Sequence, residues 1–269
     1  MSTGTVLSVS TGTVLSDTPV ITMIHIFSQN ISDTQVTVTG EDYNHLRNVL
    51  RVQPGEEILV SDGSGTDYIA GISEICDGYI LADIRNKRMD EAELPCSIVL
   101  YQCLPKSDKM ELITQKCVEL GVSRIVPVES SRCVVKLDDK NRRRKVERWQ
   151  KIAASASEQC LRSRIPEVND TMRWKDALLD ARKLDRSVIA YEHKNGAEEL
   201  KKLLKDTGER KIGSLGIIIG PEGGFSEEEV AQAAEKGIIP ITLGHRILRT
   251  ETAGIALISA VMLEIEANL

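Results

Sequence analysis

Glu222, Arg246, Arg249, Thr250 and Glu251 lie among glycines in one stretch of the chain, residues 215 to 254, which reads LGIIIGPEGGFSEEEVAQAAEKGIIPITLGHRILRTETAG. A carboxylate and guanidinium groups beside bare backbone offer both fixed charge and a close main-chain approach to a ligand. Phosphate is the first ligand such glycines suggest. The stretch carries neither G-x-x-x-x-G-K-[ST] nor G-x-G-x-x-G, and Glu222 sits where a phosphate wants a neutral or basic neighbour, so a nucleoside triphosphate site is disfavoured. A pure scaffold role explains one such loop, but not two in succession carrying these charged groups. The third class is a mixed ligand, with a ring to stack on apolar walls, a hydrogen-bonding edge and a cationic centre. Leu243, Ile247 and Leu248 supply the walls, and S-adenosylmethionine fits that description.

The elements that position these groups follow from pattern. Leu215 to Ile219 is a continuous apolar run of the kind that fills a strand buried on both faces of a parallel sheet. It stops at Gly220. Ser226 with Glu229 three residues on is a capping-box signature, so a helix starts there and Gly237 ends it. Ile238 to Leu243 reads as the next strand, the loop 244 to 251 follows, and a further helix starts near Thr252. Both loops then leave carboxyl ends of neighbouring strands, the edge where open α/β sheets bind ligands.

Upstream, alternating strands over 97 to 104, 125 to 128 and 188 to 191, with helices over 106 to 120, 141 to 161 and 197 to 205, extend the α/β pattern back to about residue 95. Residues 24 to 90 read differently. Short strands over 36 to 39, 57 to 60, 68 to 75 and 79 to 84, with turns at Pro54-Gly55, Asp62 to Gly65 and Asp77-Gly78, predict a small β-barrel interrupted by one helix, Asp42 to Leu50. Residues 86 to 95 are charged and aperiodic, which suits a linker. The heptapeptide STGTVLS occurs twice, at 2 to 8 and 10 to 16, in a polar stretch that builds no core; residues 1 to 22 read as a disordered extension or an artefact, with Met23 the plausible start.

Composition narrows the functional class. The 269 residues carry a net charge of −6, yet residues 132 to 164 hold eleven basic and four acidic residues, a local +7. That is a basic footprint for nucleic acid, with a solvated helix face the plain alternative. Its cations are Lys136, Lys140, Arg142, Arg143 and Arg144, with Arg162 and Arg164 beyond the helix favouring phosphate contacts; Arg47 and Arg51 on the first helix are further candidates. Six widely spaced cysteines without a C-x-x-C pair argue for reduced thiols in a cytoplasmic protein and against a zinc site. No apolar run reaches the roughly 18 residues of a membrane span.

Taken together, IGPEGGFSEEEV and LGHRILRTETA resemble the paired signature of the RsmE-type 16S rRNA (uracil-N3)-methyltransferases of the SPOUT superfamily. HLRNVLRVQPGEEILVSDGSG is similar to their PUA-like barrel, KSDKMELITQKCVELGVSRIVPVESSR to their opening strand-helix-strand, and SASEQCLRSRIPEV to their basic RNA-facing segment, so the likeness runs from 23 to 269. The resemblance implies a parallel sheet with helices on both faces and a deep trefoil knot over 95 to 269, behind a PUA-like RNA-binding barrel over 23 to 90. It implies a homodimer, with no metal, that transfers a methyl group from S-adenosylmethionine to N3 of one uridine of 16S rRNA in the 30S subunit, uridine 1498 in that family. The cofactor would lie against Tyr191, Gly220, Pro221, Glu222, Gly223, Gly224, Leu243, Gly244, Ile247, Leu248, Arg249 and Thr250. Arg249 is the candidate cation for the anionic base, and Glu222 or Glu251 the candidate proton acceptor. The alternatives are a non-catalytic RNA-binding assembly factor on the same fold and methylation at another RNA position.

Overall fold

A computed structural model describes residues 23–89, 92–191 and 196–269. The repeated segment 1 to 22 lies outside the described residues, as does part of the expected linker.

The first unit is a five-stranded sheet in the order β1 (Ile24–Phe27), β3 (Glu57–Ser61), β4 (Thr66–Ile75), β5 (Tyr79–Met89), β2 (Gln35–Thr39). β3, β4 and β5 form the antiparallel meander that the turns predict. β1 instead joins β3 in parallel, and β2 closes the far edge on β5. The result is a curled half-barrel rather than a plain meander. Its core is aliphatic, with Ile58, Val60, Ile80 and Leu46 fully buried. Helix α1 (Gly40–Asn44) continues as a wider helical turn, His45–Leu50, and stops at Arg51, whose φ of 55° is left-handed. Residues 86 to 89 are not linker. They pair with Thr66 to Ile69, because Lys87 covers the Tyr68 ring and Arg88 reaches Asp67, so charged residues suit this two-stranded rim.

The second unit is a parallel sheet in the order β12 (Ile239–Ile241), β10 (Arg186–Ala190), β11 (Ser214–Ile219), β6 (Ser97–Cys103), β7 (Arg124–Glu129), β8 (Glu167–Val168), with β9 (Met172–Arg173) also on β7. Successive side chains of a strand face opposite sides. Leu100 and Gln102 face Gly254 of helix α7 (Thr250–Glu266), whereas the Tyr101 hydroxyl donates to Asp180 of α4 (Trp174–Ala181). Helices therefore cover both faces. On the α7 side lie α2 (Lys109–Glu119), α3 (Asp139–Gln159) and α5 (Gly196–Gly208), and on the other α4 joins α6 (Glu227–Glu235) through Trp174 Nε1 donating to Gln232.

One sequence expectation changes here. The strands carrying the two glycine loops, β11 and β12, are not neighbours; β10 runs between them. Residues 242 to 249 therefore lead back from the edge strand to the centre, where α7 begins over β11 and β6. The two units meet at α3. His25 Nδ1 donates to the Glu158 carbonyl, and Arg164 forms backbone bridges with Gly63 and Ser64 of the β3–β4 turn.

Candidate functional site

The carboxyl ends of β10, β11 and β12 surround a cavity of about 780 Å3. β11 delivers Gly220 at its floor, where a Cβ would stand 3.0 Å from the Phe225 ring, a tight contact that glycine avoids. The loop then turns at Gly224, whose φ of 63° is left-handed. It is pinned at its end by the predicted capping box. Ser226 accepts from the Glu229 amide while Glu229 accepts from the Ser226 amide. The buried Glu229 carboxylate also accepts from Ser131 N at 2.7 Å, tying this loop to the one after β7. Arg132 in that second loop donates to the Gly223 carbonyl at 3.0 Å.

Thr250 closes the floor from the other side. Its hydroxyl donates to the Gly220 carbonyl at 2.6 Å and accepts from Gln102 Nε2 at 2.9 Å. Three elements distant in sequence are thus joined at one point, and the first turn of α7 opens onto the cavity.

Every residue expected at the cofactor, Tyr191, Gly220 to Gly224, Leu243, Gly244 and Ile247 to Thr250, lines this one cavity. Ile247 differs from its expected role as a wall. It is 96% exposed at the rim, so Leu243 and Leu248 with Ala190 and Ile241 make the apolar end. That end lies over β10 and β12. Strand order places the opposite, charged end over β6 and β7, whose following segments contribute Lys109 and Arg132.

At the charged end, Glu222 accepts from Lys109 Nζ at 2.9 Å and from Lys106 N at 3.1 Å. Burial alone raises the Glu222 pKa, but the Lys109 ammonium and the loop amides outweigh it and hold the carboxyl below its ordinary range. Glu251 stands behind the cavity wall rather than on it, 3.1 Å from the same Lys109 Nζ. Its pKa is also lowered, its own amide and Lys109 overcoming burial. Both expected proton acceptors are therefore stabilised as carboxylates, which makes each a weaker base. Arg249 caps α7, lines the cavity and is exposed, and among the described residues no hydrogen bond or ion pair holds its guanidinium.

The basic residues separate into two groups. Lys136, Lys140, Arg143 and Arg144 are exposed on and before α3, and Arg51 is exposed at the end of the first helix. Arg47 is partly committed to Tyr43, the Cys76 carbonyl and Asp77. Arg142 is half-buried between Glu129 and Asp139. Arg162 corrects the sequence reading outright: it is 3% exposed, paired with Glu93 and donating to the Val118 and Val122 carbonyls at 2.9 and 2.7 Å. A buried guanidinium needs such partners, and meeting them turns it away from any RNA. Arg164 is exposed, but its guanidinium packs beside Gly65 and its backbone bridges the two units.

Lys109 and Arg132 are the cations of the lining that come from outside the stretch 215 to 254 and that sequence spacing did not assign to the site. Neither belongs to a glycine loop, and only the order of strands brings them to the cavity.

Residues 92–262 match the RNA methyltransferase domain family and residues 38–84 the RNA methyltransferase PUA domain family. The chain is 34% identical over 245 residues, 90% of its length and 96% of the other, to ribosomal RNA small subunit methyltransferase E of Bacillus subtilis (strain 168). Among solved structures it resembles a ribosomal RNA small subunit methyltransferase E from Neisseria gonorrhoeae bound to S-adenosyl methionine, with a TM-score of 0.78 and 33% identity over 90% of this chain and 97% of that one. A putative methyltransferase from Legionella pneumophila with bound SAM gives a TM-score of 0.77 and 30% identity over the same shares.

Proposed function

The chain belongs to the RNA methyltransferase family that includes the ribosomal RNA small subunit methyltransferases E, and from that premise we propose that it transfers a methyl group from S-adenosylmethionine to N3 of one uridine of 16S rRNA in the 30S subunit, uridine 1498 in that family. The observation that carries this reading is the single cavity made by both glycine loops, apolar at one end and charged at the other. Adenosine suits the apolar end, against Leu243 and Leu248, with main-chain groups of the loops as its hydrogen-bond partners. The sulfonium and its methyl then face the charged end.

The reaction is an in-line displacement, so the protein contributes chiefly by positioning. Arg249, with no partner among the described residues to satisfy it, is the group that meets an oxygen of the uracil as charge develops on the ring. In this reading residues 242 to 249 form the threading segment of the trefoil knot. A second copy of the chain covers the apolar face of α7 on which Leu263 remains 57% exposed. The exposed cations of α3 and the half-barrel hold ribosomal RNA through phosphate while the target base is turned out into the cavity.

The test is nucleoside mass spectrometry of 30S subunits, taken from cells lacking this protein and incubated with purified protein and labelled S-adenosylmethionine. Labelled 3-methyluridine at one site is expected. A different labelled nucleoside overturns the choice of position, and cofactor binding without any label overturns the choice of substrate. Neither binding nor label favours a non-catalytic assembly factor.

A further inference from the structure

Lys109 lines the cavity and touches both Glu222 on its wall and Glu251 behind it. An ammonium has three donors and no acceptor. One is taken by Glu222 Oε1 at 2.9 Å, while Glu251 Oε2 lies 3.1 Å from the same nitrogen as an ion pair without hydrogen-bond geometry; these carboxylates come from the loop after β11 and the first turn of α7. Among the described residues Glu222 is the side chain that accepts a hydrogen bond from this ammonium, which leaves an N–H for a ligand in the cavity. The clamp holds a long, flexible side chain in place, and the hydrogen bond it donates to Glu222, with Glu251 next, raises the Lys109 pKa and keeps it charged. The other charged groups lining the cavity are Arg249 on α7, Arg132 on the loop after β7, Glu227 at the start of α6 and Arg246 on the loop after β12, which also brings His245 to the lining.

We propose that Lys109 is a further catalytic residue, whose free N–H donates to a uracil carbonyl oxygen beside N3, and that Glu222 and Glu251 are the positioning residues that aim it. The assignment rests on the uracil-N3 reading given above. Uracil presents N3–H between two acceptors, O2 and O4. When N3 loses its proton, the negative charge spreads onto both oxygens, so a fixed ammonium on one of them stabilises the anion more than the neutral ring. Cytosine keeps O2 but carries an amino donor in place of O4, so the contact discriminates against it where the ammonium meets O4.

The step balances without a protein base. The N3 proton passes to solvent water, the N3 lone pair forms the bond to the methyl carbon, and the carbon–sulfur bond breaks with its pair remaining on sulfur. The products are the N3-methylated base, S-adenosylhomocysteine and a proton in water. Lys109 keeps its three protons throughout. This assignment uses what the geometry offers, since both carboxylates are engaged by the ammonium and poorly suited to abstract a proton.

The experiment compares full-length wild-type protein with Lys109→Met and Lys109→Arg in single-turnover methylation of unmethylated 30S subunits, from neutral to alkaline pH. Cofactor affinity is measured in parallel by calorimetry. Lys109→Met is expected to bind S-adenosylmethionine as the wild type does and to methylate about a hundredfold more slowly at neutral pH, the scale of losing one fixed charge donor. Its rate should recover as pH rises, and recover further on subunits carrying 5-fluorouridine, whose N3 proton is more acidic. Lys109→Arg should retain part of the rate. A Met variant that loses cofactor affinity, or that is slowed equally at every pH and on both substrates, makes Lys109 structural and overturns the proposal. An unslowed Met variant overturns it as well. Wild-type protein that makes no 3-methyluridine instead refutes the functional reading on which the assignment rests.

Discussion

At the residue scale, the floor of the cavity depends on one hydroxyl. Thr250 Oγ1 satisfies the Gly220 carbonyl and receives Gln102 Nε2, and both Thr250 and Gln102 are buried. Valine matches the shape of threonine and removes both bonds, so Thr250→Val leaves a carbonyl and an amide N–H without this partner. The expected loss is about 1–3 kcal/mol of stability in urea denaturation, the cost of an unsatisfied buried polar group. Thr250→Ser keeps the hydroxyl and should lose much less. A Val variant as stable as the wild type would mean that the Gly220 carbonyl is satisfied without Thr250. That Thr250 belongs to the loop facing the cavity was legible from its place beside Arg249 and Glu251, but its bonds to the Gly220 carbonyl and to Gln102 were not. Gln102 lies 148 residues away, on a strand whose apolar pattern gave no hint that one polar side chain faces α7. The same separation hid Lys109. Its type and its position near a helix start are shared by many solvated lysines, and only the arrival of Glu222 and Glu251 at its ammonium distinguishes it.

At the scale of elements, legibility followed local chemistry. The apolar run of β11 and the reciprocal Ser226–Glu229 cap needed only neighbouring residues to be read, and both stand where the pattern put them. The two-residue strands β8 and β9 exist only because β7 is there to pair with them, so no period could announce them. Likewise β10 enters between β11 and β12 through long-range pairing that neither strand encodes alone. Arg162 shows the same limit in a charged segment. Its residue type matched the exposed cations of α3, whereas its position after the helix end carries it into the gap between Glu93 and the carbonyls of Val118, in the last turn of α2, and Val122, just beyond it. Arg162→Ala breaks that buried pair and takes the guanidinium away from the Glu93 carboxylate, so a destabilisation of about 3 kcal/mol is expected. Denaturation should register this change, while the salt dependence of RNA binding by the folded variant stays that of the wild type. A shallower salt dependence would restore Arg162 to the RNA interface.

For the whole molecule, charge is distributed rather than summed. A chain of net charge −6 repels RNA on average, yet α3 places Lys140, Arg143 and Arg144 together in solvent on its first turns, roughly 20 Å along the helix from the joint with the half-barrel at its other end. That joint gives the arrangement its geometry. His25 on the Glu158 carbonyl and Arg164 on the Gly63–Ser64 turn fix the sheet of the first unit against the end of α3. A phosphate backbone would have to run along α3 to reach both the cations of its first turns and the half-barrel, while the cavity lies at the carboxyl edge of the second sheet. Each phosphate neutralised on RNA releases condensed counterions, so the logarithm of the affinity falls with the logarithm of salt in proportion to the number of phosphates neutralised. Replacing Lys140, Arg143 and Arg144 together by alanine should therefore reduce the steepness of that dependence by about two, at roughly 0.7 for each phosphate no longer neutralised. Cofactor affinity should not change, because none of the three lines the cavity. Methylation by the triple variant should fall steeply at moderate salt and recover at low salt with excess protein, which separates weakened RNA binding from impaired chemistry. An unchanged slope with full activity on 30S subunits would remove α3 from the interface and leave the half-barrel, with Arg47 and Arg51, as the surface to test in the same way.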